Sequence, residues 1–207
     1  MLKLALTKGR LEQKTVELFE KSGADVSPFR EKGRKLIIQM QKPALEAVFA
    51  KANDVVTFVE HGACDAGVVG KDTLAEMNRP VYEILDLKFG KCRFALAAKA
   101  GRDFFDGYRK KTVATKYPNV ARKFFEKKNM DVEIIKIEGS VELAPLLGLA
   151  DGIVDIVETG TTLRENGLEV VETVSDISAR LIVNNASMKM KKGEIMELCK
   201  LFSEAVE

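Results

Sequence analysis

Residues 151–163, Asp-Gly-Ile-Val-Asp-Ile-Val-Glu-Thr-Gly-Thr-Thr-Leu, place a polar loop directly after an apolar run. The run Gly152–Val157 predicts a buried β-strand, and Leu163–Asn166 favours a helix. Three threonines and Gly160 lie between them. Glycine lets a ligand approach the backbone, and hydroxyl and N–H groups donate hydrogen bonds, so this loop predicts a phosphate-binding site.

The same strand–loop–helix arrangement recurs along the chain and predicts an α/β fold with mostly parallel sheets. Ligands of open α/β sheets bind at the carboxyl ends of strands, where helix N-termini offer unpaired N–H groups. Junctions with this character are Thr7-Lys8-Gly9-Arg10, Gly70-Lys71-Asp72-Thr73, Thr115-Lys116-Tyr117, Glu138-Gly139-Ser140 and Glu158-Thr159-Gly160-Thr161-Thr162.

Acidic side chains accompany the threonine-rich loop. Asp151 and Asp155 flank the strand, and Glu158 ends it. Ribose hydroxyls donate hydrogen bonds to carboxylates, so acids followed by Thr-Gly-Thr-Thr suit a ribose 5-phosphate. A loop of threonine and glycine is by itself more often a plain turn with a helix cap, and solvated charges at Asp151 and Glu158 remain the alternative.

The composition excludes several classes of protein. The 207 residues carry 33 basic and 31 acidic side chains, so a net charge of +2 indicates neither nucleic acid nor a membrane as a partner. Three separated cysteines and one histidine, His61, argue against a disulfide framework or a zinc site. With no signal peptide and no apolar span of membrane length, the chain is predicted to be cytoplasmic.

Two helix boundaries follow from local signals. Asp54 is a candidate N-cap of a short helix that ends at Gly62. The stretch Val141–Leu149 after Glu138-Gly139-Ser140 is predicted to be helical. The nucleotide loops G-x-x-x-x-G-K-[ST] and G-x-G-x-x-G are absent, which removes the main support for a kinase, an ATPase or a dinucleotide enzyme.

The chain resembles the short-form ATP phosphoribosyltransferases of histidine biosynthesis, nearly from end to end. The motifs that carry the resemblance are Thr7-Lys-Gly-Arg-Leu11, Val59–Asp72, Ala114–Val120, Glu138-Gly-Ser-Val-Glu-Leu-Ala-Pro145 and Asp151–Leu163. Each of the first three is weak alone, whereas the last two together, at this spacing, are highly specific.

The resemblance implies transfer of the phosphoribosyl group of PRPP to N1 of ATP, with Mg²⁺ and release of pyrophosphate. It implies a two-lobed, type II periplasmic-binding-protein-like fold with the active site between the lobes. The first lobe is expected to comprise 1–90 plus 175–207, and the second 91–174. Mg²⁺ is expected to arrive on the substrate without protein side chains as ligands.

The expected site residues fall into three groups. Loss of pyrophosphate builds positive charge on the ribose, and the expected catalytic residues are Asp155, Asp151, Arg10 and Lys51. The resemblance implies that PRPP is bound by Glu158, Thr159, Gly160, Thr161, Thr162 and Leu163. ATP and pyrophosphate are expected to be bound by Lys8, Gly9, Arg34, Gly70, Lys71, Thr115, Lys116, Gly139 and Ser140.

Two positions depart from the family pattern. Family members often have an Arg or Lys, then Pro or another residue, before the aspartate at position 54, and here the stretch is Lys51-Ala-Asn-Asp54. Where an arginine would bind pyrophosphate at two points, Lys51 offers only a point charge. The stretch Val183-Asn-Asn-Ala-Ser187 stands where Val-Asn-Pro is commoner, which leaves the geometry of that turn open.

Resemblance to the short form also implies a partner. A regulatory subunit resembling histidyl-tRNA synthetase is expected, in a hetero-oligomer that contains dimers of this chain. The alternatives are a solute-binding module of the same bilobal fold and another PRPP-using transferase.

Overall fold

A computed structural model describes residues 1–206. The strands are β1 (Leu2–Thr7), β2 (Ile37–Gln41), β3 (Ala44–Ala50), β4 (Ala66–Gly70), β5 (Tyr82–Asp86), β6 (Cys92–Lys99), β7 (Lys111–Thr115), β8 (Val132–Lys136), β9 (Gly152–Val157), β10 (Leu168–Ile177) and β11 (Ala179–Val183). The helices are α1 (Arg10–Lys21), α2 (Ser27–Arg30), α3 (Ala52–Glu60), α4 (Lys71–Met77), α5 (Pro118–Lys127), α6 (Leu143–Leu146), α7 (Thr161–Glu165), α8 (Ser187–Met190) and α9 (Lys192–Val206).

The chain forms two compact units. Unit 1 contains residues 1–90 and the segment from Ser178 onward, and unit 2 is Lys91–Ile177. Unit 2 extends beyond the expected limit of 174 because β10 stays paired with β6 to its last residue, with Ile177 opposite Cys92.

Unit 1 is built on a six-stranded sheet in the order β2-β3-β1-β4-β11-β5. The central strand β1 runs parallel to both β3 and β4, so the carboxyl ends of these three strands lie at one edge. On the two sides, β2, β11 and β5 pair antiparallel with their neighbours. Against this sheet, α1 and α9 pack through the edge-to-face rings of Phe19 and Phe202, 4.9 Å apart.

Unit 2 is a five-stranded sheet in the order β10-β6-β9-β7-β8. The strand β9 runs antiparallel to β6 and parallel to β7, which is parallel to β8. The prediction of mostly parallel sheets is therefore wrong, since both sheets are mixed. The carboxyl ends of β7, β8 and β9 nevertheless share one edge, as the prediction of a ligand site requires.

Alternation along β9 gives unit 2 a core on each face of its sheet. Ile153 and Val157 face one cluster of buried side chains, which includes Leu163 of α7 and Ala144 of α6. Val154 faces the opposite cluster, which includes Phe125 of α5. Asp155 is thus on the face that α6 and α7 cover.

Two predicted helix boundaries are corrected. Lys51 precedes the first turn of α3, and Asp54 lies inside that helix. The helix α6 spans only Leu143–Leu146, because the backbone turns left-handed at Gly148, with φ of 74°. The one-turn helices α2 and α8 were not predicted, since four residues show no periodicity.

The turn at Val183–Ser187, which the sequence left open, is organised by the Asn184 side chain. Its Nδ2 donates to the carbonyl oxygen of Val59 at 2.8 Å, and its Oδ1 accepts from the amides of Ala186 and Ser187. The hydrogen bonds of the Asn184 side chain to backbone groups therefore fix the conformation of this turn. Within residues 1–206, no helix has the length and apolarity needed to cross a membrane.

Asp65 anchors the segment that follows this turn. Its buried carboxylate accepts hydrogen bonds from the Lys3 amide at 2.8 Å, the Ser187 hydroxyl at 2.7 Å and the Lys191 ammonium at 2.8 Å. Burial alone would raise the pKa of Asp65, but these donors outweigh it and hold the pKa below its usual value.

We predict that Asp65→Asn lowers the free energy of unfolding at pH 7 by about 2 kcal/mol, because buried donors lose a charged acceptor. A lowered folded pKa stabilises above the unfolded value, roughly 3.9, and this contribution is lost as the pH falls through the folded pKa. Urea unfolding between pH 7 and pH 3 should therefore show a smaller difference between variant and wild type in acid.

The matched control is Asp54→Asn, an exposed aspartate of the same unit. It should change stability by less than about 0.5 kcal/mol at any of these pH values. A pH-independent difference for Asp65→Asn would contradict the assigned ionisation.

Candidate functional site

The loop after β9 carries the backbone conformation that the sequence suggested. Gly160 has φ of 74° and ψ of 9°, a left-handed conformation that disfavours other residues, and α7 begins at the next residue. A Cβ at this position would lie 3.4 Å from a guanidinium nitrogen of Arg164. Gly160 is thus needed both for the turn and for space beside Arg164.

Arg164 is a site residue that the sequence reasoning missed. Its guanidinium donates to the Thr159 carbonyl oxygen and to the Thr161 hydroxyl, each at 3.2 Å. The Thr159 and Thr161 hydroxyl oxygens are 3.1 Å apart. The Thr161 hydroxyl that accepts from Arg164 keeps its own proton, which it can donate to the Thr159 hydroxyl or to a bound acceptor. The i, i+3 spacing of Thr161 and Arg164 on a helix was the available signal.

This loop borders a cavity of about 320 Å³. Its lining is Glu142, Asp155, Ile156, Val157, Glu158, Thr159, Gly160, Thr161, Thr162 and Leu163. The structure therefore brings Asp155 together with all six predicted loop residues. Glu142 is an additional carboxylate that sequence reasoning missed, although it lies in the quoted motif Glu138–Pro145.

Asp155 is half-buried in this cavity and electrostatically unusual. Burial raises the pKa of Asp155, and the nearby Glu142 carboxylate raises it further, whereas the Ile156 amide and the Lys116 ammonium oppose the rise. The cavity thus holds two carboxylates beside hydroxyl and amide donors. Such a set can accept hydrogen bonds from sugar hydroxyls while donating to a phosphate.

Asp151 lies elsewhere. It precedes β9, roughly 20 Å along the strand from the Glu158 end at 3.3 Å per residue. Its carboxylate forms a two-point ion pair with Arg109, with one N–O distance of 2.9 Å, and accepts the Thr112 amide at 2.9 Å. These hydrogen bonds lower the pKa of Asp151, that from Arg109 most strongly. The expectation that Asp151 acts beside the ribose does not fit this position.

Thr115 is also unsuited to the role expected of its side chain. It is fully buried, and its hydroxyl donates to the Val154 carbonyl oxygen at 2.6 Å and accepts the Tyr117 amide at 2.8 Å. The next residue, Lys116, is exposed and acts electrostatically on Asp155. Gly139 and Ser140 are exposed after β8, at the edge shared by β7, β8 and β9.

The remaining predicted residues belong to unit 1 and mostly follow the carboxyl ends of its parallel strands. The Lys8 amide donates to the Ala50 carbonyl oxygen at 2.9 Å, which places Lys8 beside the end of β3 and next to Lys51. Gly9 and Arg10 follow at the start of α1. Arg34 is exposed and precedes β2, whose first residues lie opposite the end of β3.

Gly70 and Lys71 stand at the junction of β4 and α4 in unit 1. The Lys71 ammonium forms an ion pair with Glu83, so its charge is already partly compensated. Within the described part of the chain, no group of three or more His, Cys, Asp or Glu side chains could hold a metal ion.

Comparisons with known proteins agree on one family. The family model described as "ATP phosphoribosyltransferase" (HisG) matches residues 51–204. An ATP phosphoribosyltransferase of Clostridium kluyveri is 58% identical over 197 residues, covering 95% of this chain and 90% of the relative.

Solved structures share the fold. The "ATP phosphoribosyl transferase (HisG:HisZ) complex from Thermotoga maritima" matches with a TM-score of 0.82 and 34% identity, over 100% of this chain and 98% of that one. The periplasmic aliphatic sulphonate binding protein SsuA of Escherichia coli matches with a TM-score of 0.61 and 11% identity, over 99% of this chain and 72% of that one. The expected periplasmic-binding-protein-like fold class is confirmed.

Asp155, in β9, and Asp151, just before β9, should have opposite effects on the stability of the fold. We predict that Asp155→Asn raises the free energy of unfolding at pH 7, because a raised folded pKa means that the ionised carboxylate is disfavoured on folding. This gain should shrink as the pH falls through the raised folded pKa and vanish below the unfolded pKa of about 3.9, where Asp155 is protonated in both states.

Asp151→Asn is the matched control and should lower stability at pH 7, because its pKa is lowered by Arg109. The Asp151 contribution is lost as the pH falls through its folded pKa. Urea unfolding of both variants at pH 7 and pH 3.5 checks the signs. Destabilisation by Asp155→Asn at pH 7 would contradict the assigned environment.

Proposed function

Because the chain belongs to the ATP phosphoribosyltransferase family, we propose that unit 2 binds PRPP in the cavity beside Glu158–Leu163. The chain transfers the phosphoribosyl group of PRPP to N1 of ATP and releases pyrophosphate, which is the first step of histidine biosynthesis. The observation that carries the assignment of the site is the meeting of a donor-rich loop with the half-buried Asp155 in one cavity.

In this proposal the loop binds the 5-phosphate. The left-handed Gly160 exposes the first amides of α7, which have no partners earlier in the helix. The hydroxyls of Thr159, Thr161 and Thr162 add donors, and Arg164 holds the Thr161 hydroxyl in place by donating to its oxygen. Leu163 is buried in the core of unit 2 and anchors the C-terminal end of the loop there.

Asp155 and Glu142 serve the ribose. As the bond between C1 and the pyrophosphate oxygen lengthens, positive charge develops on the ribose ring. An ionised carboxylate held in a partly desolvated cavity stabilises that charge more strongly than one in water. Before the bond breaks, the same carboxylates accept hydrogen bonds from the ribose hydroxyls, which restores the solvation that Asp155 lost on folding.

The cationic residues complete the proposal. In unit 1, Lys8, Arg10, Arg34 and Lys51 are proposed to bind the phosphates of ATP and the departing pyrophosphate. In unit 2, Lys116, Gly139 and Ser140 are proposed as residues that bind phosphate groups. A Cβ at Gly9 would meet nothing within 4 Å, so the backbone there allows close approach of a phosphate. At Gly70, which was expected to contribute in the same way, the Asp72 carboxylate occupies this space. Lys71 takes part only if a substrate phosphate displaces Glu83. Adenine N1 is a weak nucleophile, so positioning supplies much of the rate.

Mg²⁺ is proposed to accompany the pyrophosphate group of PRPP. It keeps several waters and binds substrate phosphates readily, so it neutralises charge on the leaving group. The protein's part is to orient the phosphates and the ribose around it.

The assembly is proposed from the related complex. The Thermotoga maritima chain was solved as a HisG:HisZ complex. We propose that this chain likewise works with a HisZ-type regulatory subunit, in a hetero-oligomer containing dimers of this chain, and that it acts in the cytoplasm with other biosynthetic enzymes. The likeness to SsuA, at 11% identity, concerns the fold alone and supports no solute-binding role.

The reaction is tested by mass spectrometry of the chain with ATP, PRPP, Mg²⁺ and pyrophosphatase, with and without the regulatory subunit. We predict a phosphoribosyl-ATP adduct whose rate of formation falls about 100-fold in Asp155→Asn, because one preorganised charge is lost. Asp151→Asn, assayed where it stays folded, should retain most of the rate. Equal losses of rate in Asp155→Asn and Asp151→Asn would contradict the proposal that Asp155, and not Asp151, acts at the ribose.

The loop is tested separately by the affinity for PRPP. We predict that Gly160→Val abolishes PRPP binding measured by calorimetry, because Val cannot adopt φ of 74° without strain and its side chain meets Arg164. The control is Gly107→Val, which imposes the same strain at φ of 81° on a loop of unit 2 outside the cavity. Retained PRPP affinity in Gly160→Val would remove the phosphate-loop proposal.

A further inference from the structure

Unit 2 contains a second cavity at the opposite end of β9. Its volume is about 240 Å³, and Asp151, at the start of β9, is among its lining residues. The charged residues that line it are Lys99, Arg102, Asp103, Arg109, Lys111 and Asp151. None of these belongs to the lining of the cavity at the threonine-rich loop.

A buried cation gives this second cavity its character. Lys111 is only 8% exposed, and its ammonium donates to the carbonyl oxygen of Asp106. An ammonium carries three donor hydrogens, and a buried charge is costly unless its donors are used. An anion in the cavity would supply both the missing acceptors and the opposite charge.

The carboxylates around the cavity already have partners. Asp151 is bound by Arg109 and the Thr112 amide, and an oxygen of Asp103 accepts the Phe105 amide at 2.9 Å. Nearby Glu169 accepts the Gly101 amide at 2.9 Å. The lining thus carries four cations, Lys99, Arg102, Arg109 and Lys111, against two carboxylates. Asp151 attracts Lys111 as well as Arg109, and an excess of positive charge is left on the side of Lys99 and Arg102.

Lys99 and Arg102 are the cations left over. Among the ion pairs of residues 1–206, none involves either side chain. Lys99 is the last residue of β6, and Arg102 follows in the turn closed by the hydrogen bond from its amide to the Lys99 carbonyl oxygen at 3.2 Å. Two flexible cations therefore border a cavity that also holds Lys111.

We propose that this cavity binds a tetrahedral phosphate-type anion, either free phosphate or the phosphoryl group of a small metabolite. Arg102 binds two of its oxygens, since a guanidinium matches that geometry, while Lys99 and Lys111 contribute point charges. The site is separate from the PRPP loop and does not depend on the assignment of that loop.

The test uses the full-length chain carrying Gly160→Val, so that phosphate binding at the loop is removed. Calorimetric titration with inorganic phosphate should still show a binding event that depends on Arg102 and Lys99. Arg102→Ala and Lys99→Ala, added separately to this background, should each weaken that event about tenfold, because a charge-assisted hydrogen bond is lost. Lys111 is left unchanged, since replacing a buried residue endangers folding.

The matched control is Lys127→Ala, an exposed lysine on α5 of the same unit, which should leave phosphate affinity unchanged. Repeating the titration with ribose 5-phosphate identifies the source, because tighter binding than phosphate indicates a metabolite and weaker binding indicates the free anion. No binding event in the Gly160→Val background would overturn the proposal, as would equal losses in Lys127→Ala and Arg102→Ala. In the chain with Gly160 intact, Arg102→Ala should keep its PRPP affinity, and a loss would refute the separation of the sites.

Discussion

The pairing of β9 on both sides is the constraint on which the candidate site depends. With β6 on one side and β7 on the other, the backbone of Gly152–Val157 is committed to the sheet, and its side chains alternate between two buried clusters. The chain can leave the sheet only after Val157, so the first free hydrogen-bonding groups are those of the loop. The register then places Asp155 two residues before that exit, on the face covered by α7. The Asp155 carboxylate and the proposed phosphate loop are thereby held at a fixed spacing along the chain.

How much of this could be predicted depends on the range of the interactions involved. The strand β9, the loop and Gly160 were readable, because local apolar pattern and turn chemistry determine them. The ion pair of Asp151 with Arg109 was not readable, because it joins residues 42 positions apart in the sequence. Thr115 was predicted to bind a ligand because a hydroxyl at the end of a strand can bind a phosphate. The same hydroxyl can instead form hydrogen bonds with nearby backbone groups, as Thr115 does with Val154 and Tyr117. Glu142 was missed because its approach to Asp155 depends on how the chain packs in space, which no single-sequence pattern specifies. Arg164 was missed although its i, i+3 spacing from Thr161 could be read from the sequence. The prediction of mostly parallel sheets was wrong because hydrophobic runs do not encode strand direction.

Asp151, which precedes β9, and Asp155, which lies inside it, are in opposite electrostatic environments. The first stabilises the fold, and the second belongs to the candidate site. Asp151 has a cation and a backbone donor, so its ionised form stabilises the fold. Asp155 has burial and another carboxylate, so its ionised form opposes the fold. Charged side chains whose ionised form destabilises the fold are characteristic of functional sites, where the substrate supplies the partner that the fold does not. The same contrast distinguishes Lys71, which has its acid in Glu83, from the uncompensated Lys99 and Arg102.

The donor set of the loop has a consequence for selectivity. The chain's net charge of +2 gives no long-range attraction for polyanions, and the loop itself contributes hydroxyls, amides and one arginine that is already engaged with Thr159 and Thr161. Neutral donors bind tightly only to an acceptor that lies at hydrogen-bond distance from all of them. Exposed lysines, in contrast, attract any anion, and salt screens this attraction. A phosphate held by this loop is therefore recognised by shape. The cationic residues of unit 1, such as Lys8 and Lys51, are better suited to polyphosphate, whose charge is larger and whose geometry is less fixed. The division matches a reaction in which the ribose phosphate must stay in register while pyrophosphate leaves.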